Sequence, residues 1–440
     1  MSSLLISNAH LVTLDDANRC IENGSVYIED GRIAAVGDIP AGARPDRQID
    51  AGGNVVMPGF INTHHHLYST FARGFTPPGA PPTNFEEILR KLWWKLDKAL
   101  DADDVYYSAV LALMDAARHG CTTVIDHHAS PSCWEGSLDR VEQAFRDVGL
   151  SGCLCYEVSD RNAEGEGIEE NLRYIRRCRE AGDGQMTALF GMHAQMTLGD
   201  RTLDRCAEAG LSVDAGFHVH IAEDLCDVRV ARETYGKLGM DRFVDAGVAG
   251  PKSIFVHGVH LGLEAMEQLR ATDSMLVNCP ESNMNNAVGT APVLEMLKHG
   301  VTVGLGTDGM SSHMISQARA MYLQQRAQHV DPTIGFVEAA ESLLLTNRDI
   351  ANRIFADARG ALEPGQLADI VIFDYLPFTP LTADTLYGHL LFGLAFAPVR
   401  TTIARGEPVV VDGRLPHLDE AAIRARCAER APAIWQRAAS

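Results

Sequence analysis

Three consecutive histidines, His64, His65 and His66, follow a short apolar run in the stretch PGFINTHHHLYST. A strand turns successive side chains to opposite faces. If this run is a strand, His64 and His66 share a face and His65 points away. Two imidazoles so placed can grip one metal ion. A histidine tag would sit at a terminus and run longer. Further along, HVHIAE carries His218, His220 and Glu223, FVHGVH carries His257 and His260, and GLGTDG carries Asp308. Imidazoles with one carboxylate suit a borderline divalent ion, Zn²⁺ ahead of Fe²⁺, although ligand type alone does not separate the two. A coordination position left to water makes such a site catalytic. The chemistry is then hydrolysis: the ion acidifies water, and a nearby carboxylate carries the proton to a leaving group.

These residues lie far apart in the chain, so a fold must gather them. Between residues 57 and 364, short apolar runs alternate with longer amphipathic stretches, the texture of βα repetition. Eight such runs can be counted: VVMPGFINTH, CTTVIDHH, SGCLCYEV, TALFGMHA, GFHVHIAE, KSIFVHGV, SMLVNC and VTVGLGTD. Six of the eight end in or just before His, Asp or Glu. In a (β/α)8 barrel the C-terminal ends of the strands form the active-site face. The expected class is therefore α/β, a TIM-type barrel over 57–364. Residues 1–56 and 365–420 carry short alternating runs broken by turns, and EDGRIAAVG is echoed by VDGRL. Both ends are expected to build one small β-sandwich domain, with 421–440 a C-terminal helix.

Composition narrows the classes. Among 440 residues, 46% are hydrophobic, enough for a full core. The formal net charge of -20, with 58 acids against 38 bases, argues against nucleic acid and anionic membrane as partners. No apolar run reaches the length of a membrane span, and the start MSSLLISNAHLVTLDD lacks the pattern of a signal peptide. Ten scattered cysteines without a CxxC pair read as reduced thiols of a cytoplasmic protein. An apolar surface helix could bury the contact of a homo-oligomer.

The motifs PGFINTHHH, HVHIAED, VHGVHL, NCPESNMNN and LGTDG resemble the amidohydrolase superfamily, in its aminohydrolase and chlorohydrolase branch, which includes the cytosine and guanine deaminases. The likeness covers nearly the whole chain. KLWWKLDKAL, VIDHHASP, EGIEENLRYIRR and SNMNNAVG are similar, more narrowly, to SsnA-type aminohydrolases. The resemblance implies four metal ligands: His64, His66, His220 and Asp308. It implies that Glu223 shuttles protons, that His257 polarises the attacking water or the substrate, and that Asp308 is available for a second proton. His65 and His218 are read as facing away, as core or rim histidines. Binuclear members carry a lysine at the end of strand four. Here FGMHAQM places His193 there, so one ion per chain is expected.

The implied activity is hydrolytic deamination of a nitrogen heterocycle. The same machinery would also open a cyclic amide or remove chloride, an amine or sulfide from a ring. A non-catalytic metal-binding protein is the third reading, and the presence of both Glu223 and Asp308 speaks against it. Candidate substrate contacts come from strand ends and loops. Asp126 and His127 end strand two, where a turn cap with exposed histidines competes as an explanation. His193 and Gln195 end strand four. Asn285 follows strand seven, beside Asn283, which resembles a structural asparagine. Ser312 lies beyond Asp308, with His313. Arg73, Trp93 and Trp94 lie in the long segment after strand one. For Trp94, packing between helices is the preferred reading.

Overall fold

The computed structural model describes residues 3–40 and 42–440. Strands from both ends of the chain share one eight-stranded sheet. Its order runs Glu407–Val411, Val399–Ala404, Ile370–Phe373, Val55–Pro58, Ser3–Val12, Cys20–Glu29 and Arg32–Gly37, with Arg47–Asp50 paired to Ser3–Val12. The hairpin between Cys20–Glu29 and Arg32–Gly37 turns at Asp30 and Gly31, both with positive φ, as a tight antiparallel connection requires. Leu4, Ile6, Val26, Ile28, Ile370, Ile372 and Ile403 pack a core of their own on the inner face.

The run VVMPGFINTH is two strands, not the single one expected. Val55–Pro58 belongs to the terminal sheet and Phe60–His65 opens the barrel. Pro58 has no N–H to continue a ladder, and Gly59 lies where a Cβ would meet Thr122 at 2.3 Å. The chain changes sheets there.

The (β/α)8 barrel follows. Its strands are Phe60–His65, Cys121–Asp126, Ser151–Leu154, Met186–Ala188 continued as Phe190–Ala194, Phe217–Ile221, Ile254–His257, Met275–Asn278 and Thr302–Leu305. All pair in parallel. They are buried almost throughout, as expected for strands covered by helices outside and packed layers inside. Strand four is broken at Leu189: its first part pairs with strand three and its second with strand five.

The first and eighth strands meet at a seam closed mainly by side chains. Asn347 accepts from Leu305 N at 2.7 Å and donates to Ile61 O and Leu305 O, both at 2.8 Å. Thr63 Oγ1 donates to Leu305 O at 2.9 Å. Above them, Thr307 N and Asp308 N donate to His64 O at 2.9 and 3.1 Å. Gly306 allows this approach, because a Cβ there would lie 2.7 Å from that of His64.

The segment after strand one folds as a 3₁₀ turn, Leu67–Ala72, and a helix from Phe85 to Ala99 interrupted by a π turn at Leu89–Trp93. The C-terminal helix Glu420–Ala439 clamps it: Trp435 Nε1 donates to Phe71 O at 2.8 Å and Arg437 Nε to Ala99 O at 2.6 Å. Arg430 and Arg437 both reach Asp104, in the capping box that starts helix Ala102–Arg118. Among the described residues, no helix is long and apolar enough to cross a membrane. None of the ten cysteines is in a disulfide.

Candidate active site

Strand alternation sends His64 and His66 into the barrel mouth and His65 to the other side. His66 Nε2 lies 3.2 Å from His220 Nε2 and 3.0 Å from Asp308 Oδ1. His64 Nε2 is 3.4 Å from the same Asp308 oxygen, is buried, and has no hydrogen-bond partner. His65 Nε2 instead meets Ser312 Oγ at 3.0 Å.

The tautomers follow from the outer partners. His66 Nδ1 faces the carbonyl of His127 at 2.6 Å, and His220 Nδ1 faces the carbonyl of His193 at 2.7 Å. A carbonyl only accepts, so both Nδ1 atoms carry hydrogen and both Nε2 lone pairs point at one spot. Two lone pairs and a carboxylate at such distances demand a positive charge between them. A proton on His66 or a divalent ion meets that demand. Burial opposes charge on His66, but the hydrogen bond and negative charge of Asp308 outweigh it and hold its pKa at about 9. Burial keeps His64 and His220 well below the ordinary histidine value, neutral as metal ligands must be. The donor set fits a divalent metal.

His218 does not face away. Residues 218 and 220 are two apart, so a strand turns both inward. His218 sits one layer deeper, its Nε2 2.9 Å from His64 Nδ1, and orients that ring.

Glu223 and His257 occupy one side of the cavity. Glu223 Oε2 is 3.4 Å from His257 Nε2, and Asn286 Nδ2 donates to Glu223 Oε1 at 3.4 Å. Burial, and then the negative charge of Asp308, raise the Glu223 pKa well above the carboxylate range. Such a carboxyl holds a proton that it can give away. His257 Nδ1 is held by Asn283 Oδ1 at 2.9 Å, the bracing role expected for Asn283. Atoms of His64, His220, His257 and Asp308 lie within 4.8 Å of one another, so His257 stands closer to the metal position than its expected role alone requires. Ala222, His257 and Asp308 all have positive φ, at 46°, 76° and 54°. Left-handed backbone at three site positions is strain the fold sustains where it aims side chains.

The cavity is also lined by Tyr68, Phe85, Trp93, Trp94, Glu157 and His193. Of the expected substrate contacts, His193, Trp93 and Trp94 lie in this wall, and Arg73, Asp126, His127, Gln195, Asn285 and Ser312 do not. Asp126 is buried and accepts from Leu67 N at 2.7 Å, bracing the start of the covering segment; it is not a turn cap, and the two histidines after it are buried. His127 lies behind His66: its carbonyl fixes that ring, and its own Nε2 faces the carbonyls of Met192 and His218. Gln195 lies beyond the end of strand four, where a 3₁₀ turn carries it away to the buried side of Gly239. Arg73, Asn285 and Ser312 line a neighbouring pocket of about 300 Å³, along with His65. It shares Ser69, Trp93, Gly309 and Met310 with the main cavity. Asn286, one residue after the expected Asn285, faces the cavity because the helix turns the two in different directions. His313 caps the next helix, accepting from Ser316 N.

Trp93 and Trp94 both reach the cavity, so Trp94 does more than pack helices. The π turn ending at Trp93 supplies an extra residue that an α-helix would not accommodate. Glu157 was legible and overlooked: CYEV ends strand three, and a carboxylate at a barrel strand end belongs to the active-site face. Ser282 and Asn286, four residues apart on one helix, carried a weaker signal.

A 5-methylthioadenosine/S-adenosylhomocysteine deaminase from Pelotomaculum thermopropionicum is 30% identical over 440 residues, 98% of each chain. A 5'-deoxyadenosine deaminase from Methanosarcina mazei is 31% identical over 427 residues, 96% of this chain and 95% of the relative. In structure, an adenosine deaminase from Xanthomonas campestris with bound zinc superposes with a TM-score of 0.85 at 22% identity, covering 99% of both chains. An atrazine chlorohydrolase from Arthrobacter aurescens, complexed with zinc, gives 0.81 at 20% identity over 98% and 100%. The family model for the amidohydrolases matches residues 55–409. With that match spanning most of the chain, the protein belongs to the amidohydrolase family.

Proposed function

We propose that this chain is a metal-dependent aminohydrolase that removes ammonia from a nitrogen heterocycle. The observation that carries the reading is Glu223: a largely buried carboxyl 3.4 Å from His257 Nε2, close to the metal position yet outside the proposed ligand set. His64, His66, His220 and Asp308 would hold one ion per chain, Zn²⁺ first. When bound, the ion supplies Lewis acidity that brings the pKa of water toward neutrality. Glu223 holds a proton in the metal-free site and would release it with a cation beside it; the ionised carboxylate then takes a proton from the attacking water and passes it to the substrate. Oxygen adds to the ring carbon, the exocyclic C–N bond breaks, and the nitrogen leaves as ammonia. His257, held by Asn283, orients the water. Asp308 is placed to accept a proton as well. The aromatic side chains of the cavity suit a flat ring. The activities in the names of the relatives support a C–N bond as the target.

The test is a screen of 5'-deoxyadenosine-type nucleosides, purine and pyrimidine bases, triazines, pterins and cyclic amides, following ammonia release and ring absorbance together. Ammonia with a change in ring spectrum is expected. Chloride release or ring opening without ammonia would replace the deaminase reading. Elemental analysis should find about one transition metal per chain. His220→Ala should lose it; full retention would overturn the ligand set.

A further inference from the structure

Three helical segments bring together aromatic rings that the rest of the chain leaves uncovered. Phe392 ends helix Leu386–Phe392 and is 55% exposed; Phe396, in the 3₁₀ turn that follows, is 68% exposed. They are two of the three exposed phenylalanines among the described residues. The Phe392 ring stacks on Phe336 of helix Phe336–Glu341, with centroids 6.2 Å apart. It also meets Tyr322 of helix Met314–His329 edge-on at 6.0 Å. Leu323 and Val337, each next to one of these rings in sequence, are exposed as well. Single exposed apolar side chains are ordinary, whereas a contiguous aromatic patch marks an interface.

The charges around the rings are sorted. At one end, the guanidinium carbon of Arg319 lies 5.1 Å from the Phe396 centroid. Among the described residues Arg319 has no carboxylate within 4.0 Å and no hydrogen-bond acceptor. At the other end, Glu341 meets the hydroxyl of Tyr387 at 3.5 Å and has no cationic partner among the described residues. Arg326 is engaged elsewhere, over the Tyr322 ring and on the Ile334 carbonyl at 3.0 Å. Tyr387 lies in the first turn of the helix that Phe392 ends. Along Phe396, Phe392 and Tyr387 the patch therefore runs from cation through aromatic rings to anion. An isologous contact pairs residue i with j and j with i. A two-fold axis through Phe392 lays each charged end on the opposite end of a second copy, and ring on ring. The patch is complementary to itself. The chain carries a net charge of -20, so an anionic membrane or nucleic acid meets repulsion here with no cation at the Glu341 end.

We propose that this face is the interface of a homodimer, with Arg319 of each copy against Glu341 of the other and Phe392 and Phe396 in the buried centre. A dimer of ordinary size covers about 800 Å² on each copy, so it takes in polar surface around the rings. The two charged ends supply that rim. Two chains of this charge repel at long range, and the aromatic centre with its paired ends is what offsets the repulsion at contact.

Sedimentation velocity of the metal-loaded full chain over a wide range of concentration reads the assembly directly. Wild type should sediment at twice the chain mass. Arg319→Glu and Glu341→Arg each set like charges against each other at both ends of the dimer. Each should raise the dimer dissociation constant by roughly a hundredfold or more. Mixing the two variants restores opposite charges at both contacts, so the mixture should dimerise at concentrations where neither variant does alone. The double variant Arg319→Glu/Glu341→Arg should recover the wild-type assembly, and Phe392→Ser should give monomer. Within one chain the two charges stand at opposite ends of the patch, so recovery on mixing reports contact between copies. A monomeric wild type, a dimer indifferent to both reversals, or a mixture that stays monomeric would overturn the inference. If a variant does not fold, small-angle scattering of the wild type decides: this face fixes one two-fold arrangement and one profile of interatomic distances, and a different profile would place the contact elsewhere.

Discussion

Two buried polar clusters share the first and eighth barrel strands, a few residues apart. At the seam, the described side-chain hydrogen-bonding atoms of Asn347 are all paired, with Leu305 and Ile61. At the mouth, His64, His66, His220 and Asp308 are buried too, yet two imidazole lone pairs face one another and His64 Nε2 has no partner. Desolvation costs are similar, and the balance is opposite. The seam uses polar groups to finish a ladder that the backbone leaves open. The mouth keeps polar groups unmatched, which costs stability unless a cation arrives. Satisfaction of buried groups, more than their number, separates structure from function here.

The largest expected effect tests the mouth. Glu223→Gln keeps the shape and loses the proton carrier. Turnover should fall by roughly a hundredfold to ten-thousandfold. Metal content should stay unchanged, by elemental analysis. Near-normal turnover would move the proton to Asp308, the other carboxylate at hand. The seam should answer in the opposite sense. Asn347→Ala strands the Leu305 N–H and the Ile61 carbonyl, and should cost about 3 kcal/mol of stability. Chemical denaturation measures that loss, and the fraction still folded should bind metal and turn over normally. A seam variant with intact stability and a dead site would erase the distinction between the two clusters.

The sequence made the mouth legible because its rules are local. Alternation separated His64 and His66 from His65, and strand-end acids and histidines marked the active-site face. The seam was invisible. Asn347 lies 42 residues from Leu305 and 286 from Ile61, and no periodicity links them. The substrate wall was mostly misplaced for a related reason. Arg73, Asn285 and Ser312 lie in loops or at helix ends, where a shift of one residue changes the pocket a side chain enters. His218 was misplaced although the alternation rule, applied to HVHI, puts it on the same face as His220. The split of VVMPGFINTH was signalled by Pro58 and Gly59, but an apolar run hides such a join.

A pH experiment sharpens the contrast from the edge of the mouth. Asp227 lines the cavity and accepts from Ala222 N at 2.7 Å and Met196 N at 3.2 Å. Burial raises its pKa from 3.8 to about 7, against the hydrogen bonds that lower it. The unfolded chain releases this proton near pH 4, while the folded chain keeps it until about pH 7. Between these values the folded state binds more protons, so stability falls as pH rises. Asp227→Asn cannot ionise. Its deficit relative to wild type should shrink by up to about 2 kcal/mol between pH 5 and pH 8. Parallel curves in denaturation at the two pH values would show that Asp227 is ionised throughout.

The smallest effect is expected at His65, between two proposed ligands in sequence and apart from them in space. Its ring is buried, and burial lowers its pKa to about 3, so it is neutral at working pH. Its Nε2 lies 3.0 Å from Ser312 Oγ, which donates to Ala112 O at 3.3 Å. The ring nitrogen is therefore the donor. Glutamine can offer an N–H from nearly the same place, so His65→Gln should cost less than about 1 kcal/mol. Its backbone carbonyl accepts from His127 N at 2.8 Å, a bond the substitution leaves alone. Through His127, that bond supports the carbonyl that fixes His66. The variant should keep its metal and most of its activity, while His64→Gln and His66→Gln should lose both. Loss of metal from His65→Gln would mean that the ring side chain itself, and not only its backbone, holds the first strand in register against the eighth.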